Sequence, residues 1–145
     1  MSIKVLIIDD DSSMTELLGM LLEKNGMNVI STASGMDGLE LARVEHPDII
    51  ILDLLLPETD GWEVCKTLRT FTNVPIAILS ALDDPHVISS ALDAGADDYM
   101  SKPVPNMVLL AHIHNLTRRY AVESQLSSML KNNRANNKAS ATNLS

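Results

Sequence analysis

Short apolar runs alternate along the chain with segments in which apolar residues recur every three or four positions. The first run, Ile3–Ile8, shows no polar alternation, which is typical of a strand covered on both faces. The segment after it has the spacing of an amphipathic helix, with apolar residues at Met14, Leu17, Leu18, Leu21 and Leu22. Asp11 or Ser12 is suited to cap the start of this helix, and Asn25-Gly26 marks its end.

The same alternation continues to about residue 120. The other predicted strands are Asn28–Ala33, Asp48–Asp53, Pro75–Ser80 and Asp98–Ser101. The other predicted helices are Gly35–Glu45, Asp60–Arg69, Pro85–Ala94 and Pro105–Tyr120. Strands that alternate with helices form a parallel sheet, because each right-handed crossover returns the next strand parallel to the last. We therefore predict an α/β fold with a doubly wound, flavodoxin-like five-stranded parallel sheet of order 2-1-3-4-5.

The composition agrees with one globular domain. The chain has 145 residues, of which 46% are hydrophobic and only 3% aromatic, and its net charge is -8. A basic patch with stacking aromatic residues is absent from the sequence, so we expect no direct nucleic-acid binding by this domain. The N-terminal apolar run is short and ends in three acids, so it predicts neither a signal peptide nor a membrane span. We expect a cytoplasmic protein without membrane contact.

The last part of the chain has a different character. Leu126, Met129 and Leu130 have helical spacing, so the last helix is expected to extend past Tyr120. Residues 132–145 contain almost no apolar side chains and predict a flexible tail or linker. We therefore assign residues 1–121 to the domain and 122–145 to a helix extension and tail. This tail is too short for a DNA-binding domain, and a single-domain protein and a fragment of a longer one both remain open.

Polar residues follow the predicted strands at the edge where parallel sheets place their binding sites. Strand one is followed by Asp9, Asp10 and Asp11, strand three ends in Asp53, strand four ends in Ser80 and strand five leads to Lys102. These strands are contiguous in the predicted order, so the side chains are expected to converge. Clustered carboxylates repel one another unless a cation neutralises them, and hard oxygen ligands suit Mg²⁺. A carboxylate nucleophile, a metal, an ammonium and a hydroxyl are the groups that hold a transferring phosphoryl group.

Four separated motifs occur together in one order: IIDDD, DIIILDLLLPETDGWEV, PIAILSA and AGADDYMSKPV. In this respect the chain resembles the receiver domains of two-component response regulators, over about residues 2–121. The resemblance implies a phosphorylation-activated signalling switch that acts on itself and is not an enzyme with an external substrate. It also implies that a histidine kinase or a phosphotransfer protein donates the phosphoryl group.

The resemblance assigns roles to particular residues. It implies that Asp53 accepts the phosphoryl group, that Lys102 contacts its oxygens, and that Ser80 and Tyr99 form the switch. It implies a Mg²⁺ site made by Asp9, Asp10, Asp53 and the backbone carbonyl of Leu55. The peptide bond between Lys102 and Pro103 is expected to be cis, because a tight turn there directs the lysine inward.

Two other classes share part of this chemistry. A haloacid-dehalogenase-like phosphatase also uses an aspartate nucleophile with Mg²⁺, but it needs a second aspartate at the position where this chain has Leu55. A flavodoxin-type cofactor binder would carry a Ser/Thr-rich phosphate loop after strand one, where this chain has acids. Asp11 and Asp60 are better interpreted as helix caps, Cys65 as a core residue, and the four histidines as groups without a catalytic role.

The output surface is expected on the fourth helix, the fifth strand and the fifth helix, where the contact is either a homodimer or a complex with a partner protein. Val104, Val108 and Ala111 form an apolar strip that is predicted to point outward. DNA-binding receivers dimerise here through salt bridges. At the matching positions this chain has Val108 in place of an acid and His112 in place of a basic residue, so we expect a more hydrophobic contact.

Overall fold

The computed structural model describes the backbone of residues 2–143 and the side chains of residues 2–138. Five strands form one sheet: β1 (Lys4–Ile8), β2 (Asn28–Thr32), β3 (Ile49–Leu52), β4 (Ile76–Ser80) and β5 (Asp98–Ser101). All neighbouring strands are parallel, and their order is β2-β1-β3-β4-β5. The predicted fold class and strand order are confirmed.

Five helices connect or follow the strands: α1 (Ser12–Lys24), α2 (Gly35–Glu45), α3 (Gly61–Arg69), α4 (Pro85–Asp93) and α5 (Asn106–Asn143). The two predicted aspartate caps are confirmed. Asp11 accepts a hydrogen bond from the backbone N–H of Met14 at 3.1 Å, and Asp60 accepts one from Trp62 at 2.8 Å. Each carboxylate therefore satisfies a backbone donor that the first helical turn leaves without a partner.

The core lies in two layers, one on each face of the sheet. On one face the sheet packs against α2, α3 and α4 through Ala42, Val64, Cys65, Leu68 and Ala91. On the other face it packs against α1 and α5 through Leu18, Leu22, Leu109, Ile113 and Leu116. Burial raises the pKa of the Cys65 thiol to about 11, which agrees with its predicted role as a core residue. Because the central strands are covered on both sides, only their ends are available to bind a ligand.

The last helix extends past Tyr120, as predicted, but it differs from the prediction in where it begins and ends. It continues through Asn143, past the residue at which the sequence predicts a flexible tail to begin, because no glycine or proline interrupts residues 121–143. Residues 144 and 145 lie outside the described part of the chain. The mobility of residues 132–145 and the domain boundary at residue 121 stay predictions. Within the described residues, no helix combines the length and the apolarity needed to cross a bilayer.

One predicted outward residue is wrong. Val104 packs against the core layer formed by α1 and α5. Val104 precedes α5, which begins at Asn106, so its helical spacing from Val108 does not predict where its side chain points. Val108 and Ala111 do lie on the exposed surface of α5, as predicted.

Candidate functional site

Three charged side chains meet at the carboxyl edge of the sheet. Asp9 follows β1, Asp53 follows β3 and Lys102 follows β5. The Lys102 ammonium nitrogen lies 2.8 Å from Asp9 Oδ2 and 3.1 Å from Asp53 Oδ2. Asp9 and Asp53 are each only 5% exposed. The topology therefore brings together residues that are far apart in the sequence, in a setting where few water molecules screen their charges.

A third carboxylate completes an acidic cluster. Oxygen atoms of Asp9, Asp10 and Asp53 lie within 4.8 Å of one another, and Asp10 is exposed at the rim. Lys102 supplies one positive charge against three negative ones, so a net negative charge remains to attract a cation. Carboxylate oxygens, open to water on one side, are the ligand set that Mg²⁺ takes in proteins. The residues therefore fit the predicted magnesium site.

The electrostatics of the pocket follow from its burial. Burial raises the pKa of Asp9 above its ordinary 3.8, although Lys102 and the backbone N–H of Asp11 act in the opposite direction. Burial also disfavours the charged form of Lys102, but hydrogen bonds to the Asp9 and Asp53 carboxylates outweigh it, and the pKa of Lys102 is raised overall. Lys102 is therefore held as a cation between two carboxylates.

The loop after β3 fixes the Asp53 carboxylate. Asp53 Oδ1 accepts a hydrogen bond from the backbone N–H of Leu55 at 3.2 Å, and the backbone N–H of Asp53 donates to Ile8. The other carboxylate oxygen of Asp53, Oδ2, contacts the Lys102 ammonium. The Leu55 side chain is 49% exposed, and the proposed role of its carbonyl as a metal ligand stays a prediction.

Gly61 is a residue that the sequence analysis missed. A Cβ atom at this position would lie 2.4 Å from Leu54 Cα and 2.7 Å from the carbonyl oxygen of Asp53. Any larger side chain would therefore push the start of α3 away from the Asp53 loop. The available signal was a glycine at the start of a helix, where an unexplained glycine indicates a close approach of backbone.

Ser80 and Tyr99 are linked through one residue, Leu82. Ser80 lies at the end of β4, fully buried, and its hydroxyl accepts a hydrogen bond from the backbone N–H of Leu82 at 3.4 Å. The phenol of Tyr99 donates to the Leu82 carbonyl at 2.6 Å. Burial raises the pKa of Tyr99, and its interaction with Ser80 offsets part of this effect. The loop after β4 therefore holds both predicted switch residues.

Two acidic residues at the start of β5, at the opposite end of the strand from the pocket, have structural partners. Asp97 pairs with Arg69 and accepts a hydrogen bond from the backbone N–H of Ile76. Asp98 pairs with Nδ1 of His112, a contact that the sequence analysis did not foresee. The predicted cis peptide bond between Lys102 and Pro103 is confirmed.

Comparison with known proteins identifies the architecture. A sequence model of the response regulator receiver domain matches residues 5–114. The chain is 42% identical to the transcriptional regulatory protein AfsQ1 of Streptomyces coelicolor over 120 residues. The matched region covers 83% of this chain and 53% of AfsQ1. It is 39% identical to the response regulator MprA of Mycobacterium tuberculosis over 130 residues, and the matched region covers 89% of this chain and 56% of MprA. The chain thus spans about half the length of the curated relatives it matches.

Solved structures agree with the sequence relatives. The BeF3-activated N-terminal receiver domain of RstA from Klebsiella pneumoniae superposes with a TM-score of 0.77 at 34% identity, covering 79% of this chain and 98% of that one. A two-component response regulator from Clostridium difficile superposes with a TM-score of 0.80 at 30% identity, covering 82% of this chain and 98% of that one.

Proposed function

This chain belongs to the response regulator receiver domain family, and we propose that its switch is a phosphoryl group accepted by Asp53. The observation that carries the proposal is the position of the Asp53 carboxylate, which is buried, oriented by Leu55 and 3.1 Å from the Lys102 ammonium. Among the described residues, Asp9 is the one other carboxylate that is buried, contacts a lysine and follows a strand. Asp9 makes the same two kinds of contact, with Lys102 and with the backbone N–H of Asp11, so the choice of Asp53 as the acceptor rests on its match to the phosphoryl-accepting position of the receiver family.

In the proposed reaction an Asp53 oxygen attacks the phosphorus atom of the donor. A bond forms between that oxygen and phosphorus, the bond from phosphorus to the leaving group breaks, and its electron pair goes to the leaving group. Oδ2 of Asp53 faces Lys102, so the ammonium is placed to contact phosphoryl oxygens as they approach. An ammonium fixed in position before the reaction stabilises the developing negative charge without reorganisation.

We propose that Asp9, Asp10, Asp53 and the carbonyl of Leu55 hold Mg²⁺. When bound, Mg²⁺ would neutralise charge on the phosphoryl oxygens and on the clustered carboxylates. The chain positions these ligands in advance. Asp9 is held by Lys102 and by the backbone N–H of Asp11, while Asp10 is exposed at the rim of the pocket, where an ion can enter. The donor is a histidine kinase or a phosphotransfer protein, and small acyl phosphates should replace it.

The phosphoryl group is proposed to act through Ser80 and Tyr99. The hydrogen bond that the backbone N–H of Leu82 donates to the Ser80 hydroxyl is long, at 3.4 Å, so it is a weak contact that can break when the Ser80 O–H turns to donate to a phosphoryl oxygen. When Ser80 turns toward the phosphoryl group, the loop that holds Leu82 is released to move. The Tyr99 phenol is bound to the same residue, so the ring changes position with the loop. Phosphorylation thereby shifts the balance between two conformations of the chain.

Phosphorylation is proposed to change the protein–protein contacts made by the face of α4, β5 and α5. Large apolar side chains are exposed there, including Leu92 at 43%, Met107 at 84% and Val108 at 42%. Asp97 and Asp98 are occupied by Arg69 and His112 of the same chain. These pairs support a contact that is more hydrophobic than an interlocked set of salt bridges, with a second copy or with another protein.

The experiment that tests the proposal is phosphorylation by acetyl phosphate in the presence of Mg²⁺, followed by intact-mass measurement. The expected result is the addition of one phosphate to the wild type and none to Asp53→Asn. Equal phosphorylation of both proteins would overturn the assignment.

A further inference from the structure

The C-terminal part of α5 stands clear of the domain. Every described side chain from Ala121 to Lys138 is exposed. A helix segment of this length is only marginally stable in water without tertiary packing, and the repeated asparagines in it are poor helix formers. The segment is therefore expected to gain stability from a partner.

One side of this exposed helix carries an apolar stripe. Val122, Leu126 and Met129 are spaced by four and three residues, and they are 50%, 54% and 62% exposed. This is the spacing of the two apolar positions of a heptad repeat, which in coiled coils form the seam between helices. Leu130, 60% exposed, lies beside the seam and widens it. The next seam position is occupied by Asn133.

We infer that residues 118–133 of α5 form a parallel two-stranded coiled coil with the same segment of a second copy of the chain. The stripe is short, so the contact is a weak and reversible one. Asn133 defines its geometry, because an asparagine in the seam of a parallel pair meets its own copy and the two amides hydrogen-bond to each other. A single asparagine in this position favours two strands in fixed register.

The opposite orientation fits the sequence poorly. If the two helices ran antiparallel with Leu126 against Met129 of the other copy, Asn133 would face Val122. That arrangement would bury an amide against an aliphatic side chain and leave it without a hydrogen-bond partner. Only the parallel pair satisfies Asn133.

The charges of the segment also suit a parallel pair. Arg118 and Glu123 are five residues apart on the two sides of the seam, the separation at which side chains of parallel helices form interhelical ion pairs. Arg119 occupies the seam position before Val122, at the end of the stripe nearest the domain, and the remaining basic residues, Lys131, Arg134 and Lys138, fall on heptad positions away from the seam. The pair is therefore attractive between Arg118 and Glu123, while the two copies of Arg119 repel each other at the end of the seam and keep the contact weak.

This contact does not depend on phosphorylation, and it lies beyond the face of α4, β5 and α5. A parallel pair places both domains at the same end of the coiled coil, with their α5 helices side by side. The two chains are thereby held at a high effective concentration, at which even a weak contact between the domains can form.

The first test is the mass of the full chain by sedimentation equilibrium over a range of concentrations. We expect a monomer–dimer equilibrium for the wild type and a dissociation constant raised by roughly tenfold or more in Leu126→Glu. Ser127→Glu introduces the same charge on the next residue, away from the seam, and should leave the equilibrium unchanged. A wild type that stays monomeric, a larger assembly, or equal effects of the two variants would overturn the inference.

The second test is the orientation of the helices. Asn133→Cys should form an intermolecular disulfide rapidly under mild oxidation with copper phenanthroline, because the two copies of residue 133 are neighbours in the parallel pair. Ser127→Cys is the control and should crosslink slowly, while the native Cys65 is buried and should not react. Far-ultraviolet circular dichroism verifies that each variant is folded. Equal crosslinking rates for the two variants would contradict the parallel arrangement.

Discussion

Lys102 Nζ lies 3.1 Å from Asp53 Oδ2, so the cation proposed to stabilise a phosphoryl group is already bound to the carboxylate proposed to receive it. The same nitrogen contacts Asp9 at 2.8 Å. In the proposed reaction, Lys102 would exchange one anionic oxygen for another without crossing into solvent. The contact therefore balances part of the negative charge of the pocket before the proposed reaction, and it also places Lys102 where that reaction needs it.

Lys102→Met should slow phosphorylation by acetyl phosphate. A charge-assisted hydrogen bond contributes about 1.5–3 kcal/mol, which corresponds to a rate decrease of about tenfold to a hundredfold. Lys66→Met is the control, because Lys66 pairs with Glu63 on the exposed surface of α3. Single-turnover phosphorylation with Mg²⁺ present measures both rates. A Lys102 variant that reacts as fast as the control would show that the ammonium is not needed.

The stability of the metal-free protein should depend on the ionisation of Asp9. Its pKa is raised in the folded state, so its contribution to stability is complete below 3.8 and is lost as the pH rises through the raised value. Asp9→Asn removes this loss, so the variant should gain stability relative to wild type as the pH rises from about 4 to 7. Urea unfolding in EDTA across this range tests the prediction. Wild-type and variant profiles that run parallel would refute it.

Gly61→Ala should destabilise the domain by about 1–3 kcal/mol, because the new methyl group meets the backbone of the Asp53 loop. Gly19→Ala is a matched control. Its added methyl would meet only Val29 at 3.8 Å, an ordinary contact, and alanine favours the helix by up to about 1 kcal/mol. Thermal unfolding should therefore shift in opposite directions for the two variants. Shifts of the same sign and size would show that the backbone around Gly61 makes room for the methyl group without loss of stability.

Val108→Glu should weaken any association that a beryllofluoride phosphoryl mimic induces, because it places a charge on the apolar part of the proposed output face. Met36→Glu, on the exposed surface of α2, introduces the same charge away from that face. Sedimentation of both variants and the wild type is compared with and without the mimic. The proposal fails if the mimic changes association in none of them and crosslinks to a cognate partner avoid this face.

The fold was predictable because strand burial and helix amphipathicity are local patterns. The run at residues 49–52 is apolar without interruption because α/β packing covers it on both faces, and that pattern is visible in the sequence. The convergence of Asp53 and Lys102 followed from strand order alone. Side-chain pairing was not predictable in this way. The contact between Asp98 and His112 depends on how α5 is rotated against β5, which the hydrophobic pattern fixes only coarsely.

The errors have identifiable physical causes. Helical spacing predicts that Val104 lies on the surface of α5, but Val104 belongs to the preceding loop, to which that spacing does not apply. The length of α5 was underestimated because low apolar content was interpreted as absence of structure. A polar segment without glycine or proline can continue a helix that the domain has already nucleated.

The most direct test of the central claim locates the phosphoryl group on the chain. The protein is treated with acetyl phosphate and Mg²⁺, reduced with borohydride, which converts an aspartyl phosphate to homoserine, and analysed by peptide mass spectrometry. We expect homoserine at position 53 alone, and no conversion when EDTA replaces Mg²⁺. Homoserine at position 9 or 10, or equal conversion of Asp53 without a divalent cation, would contradict the account.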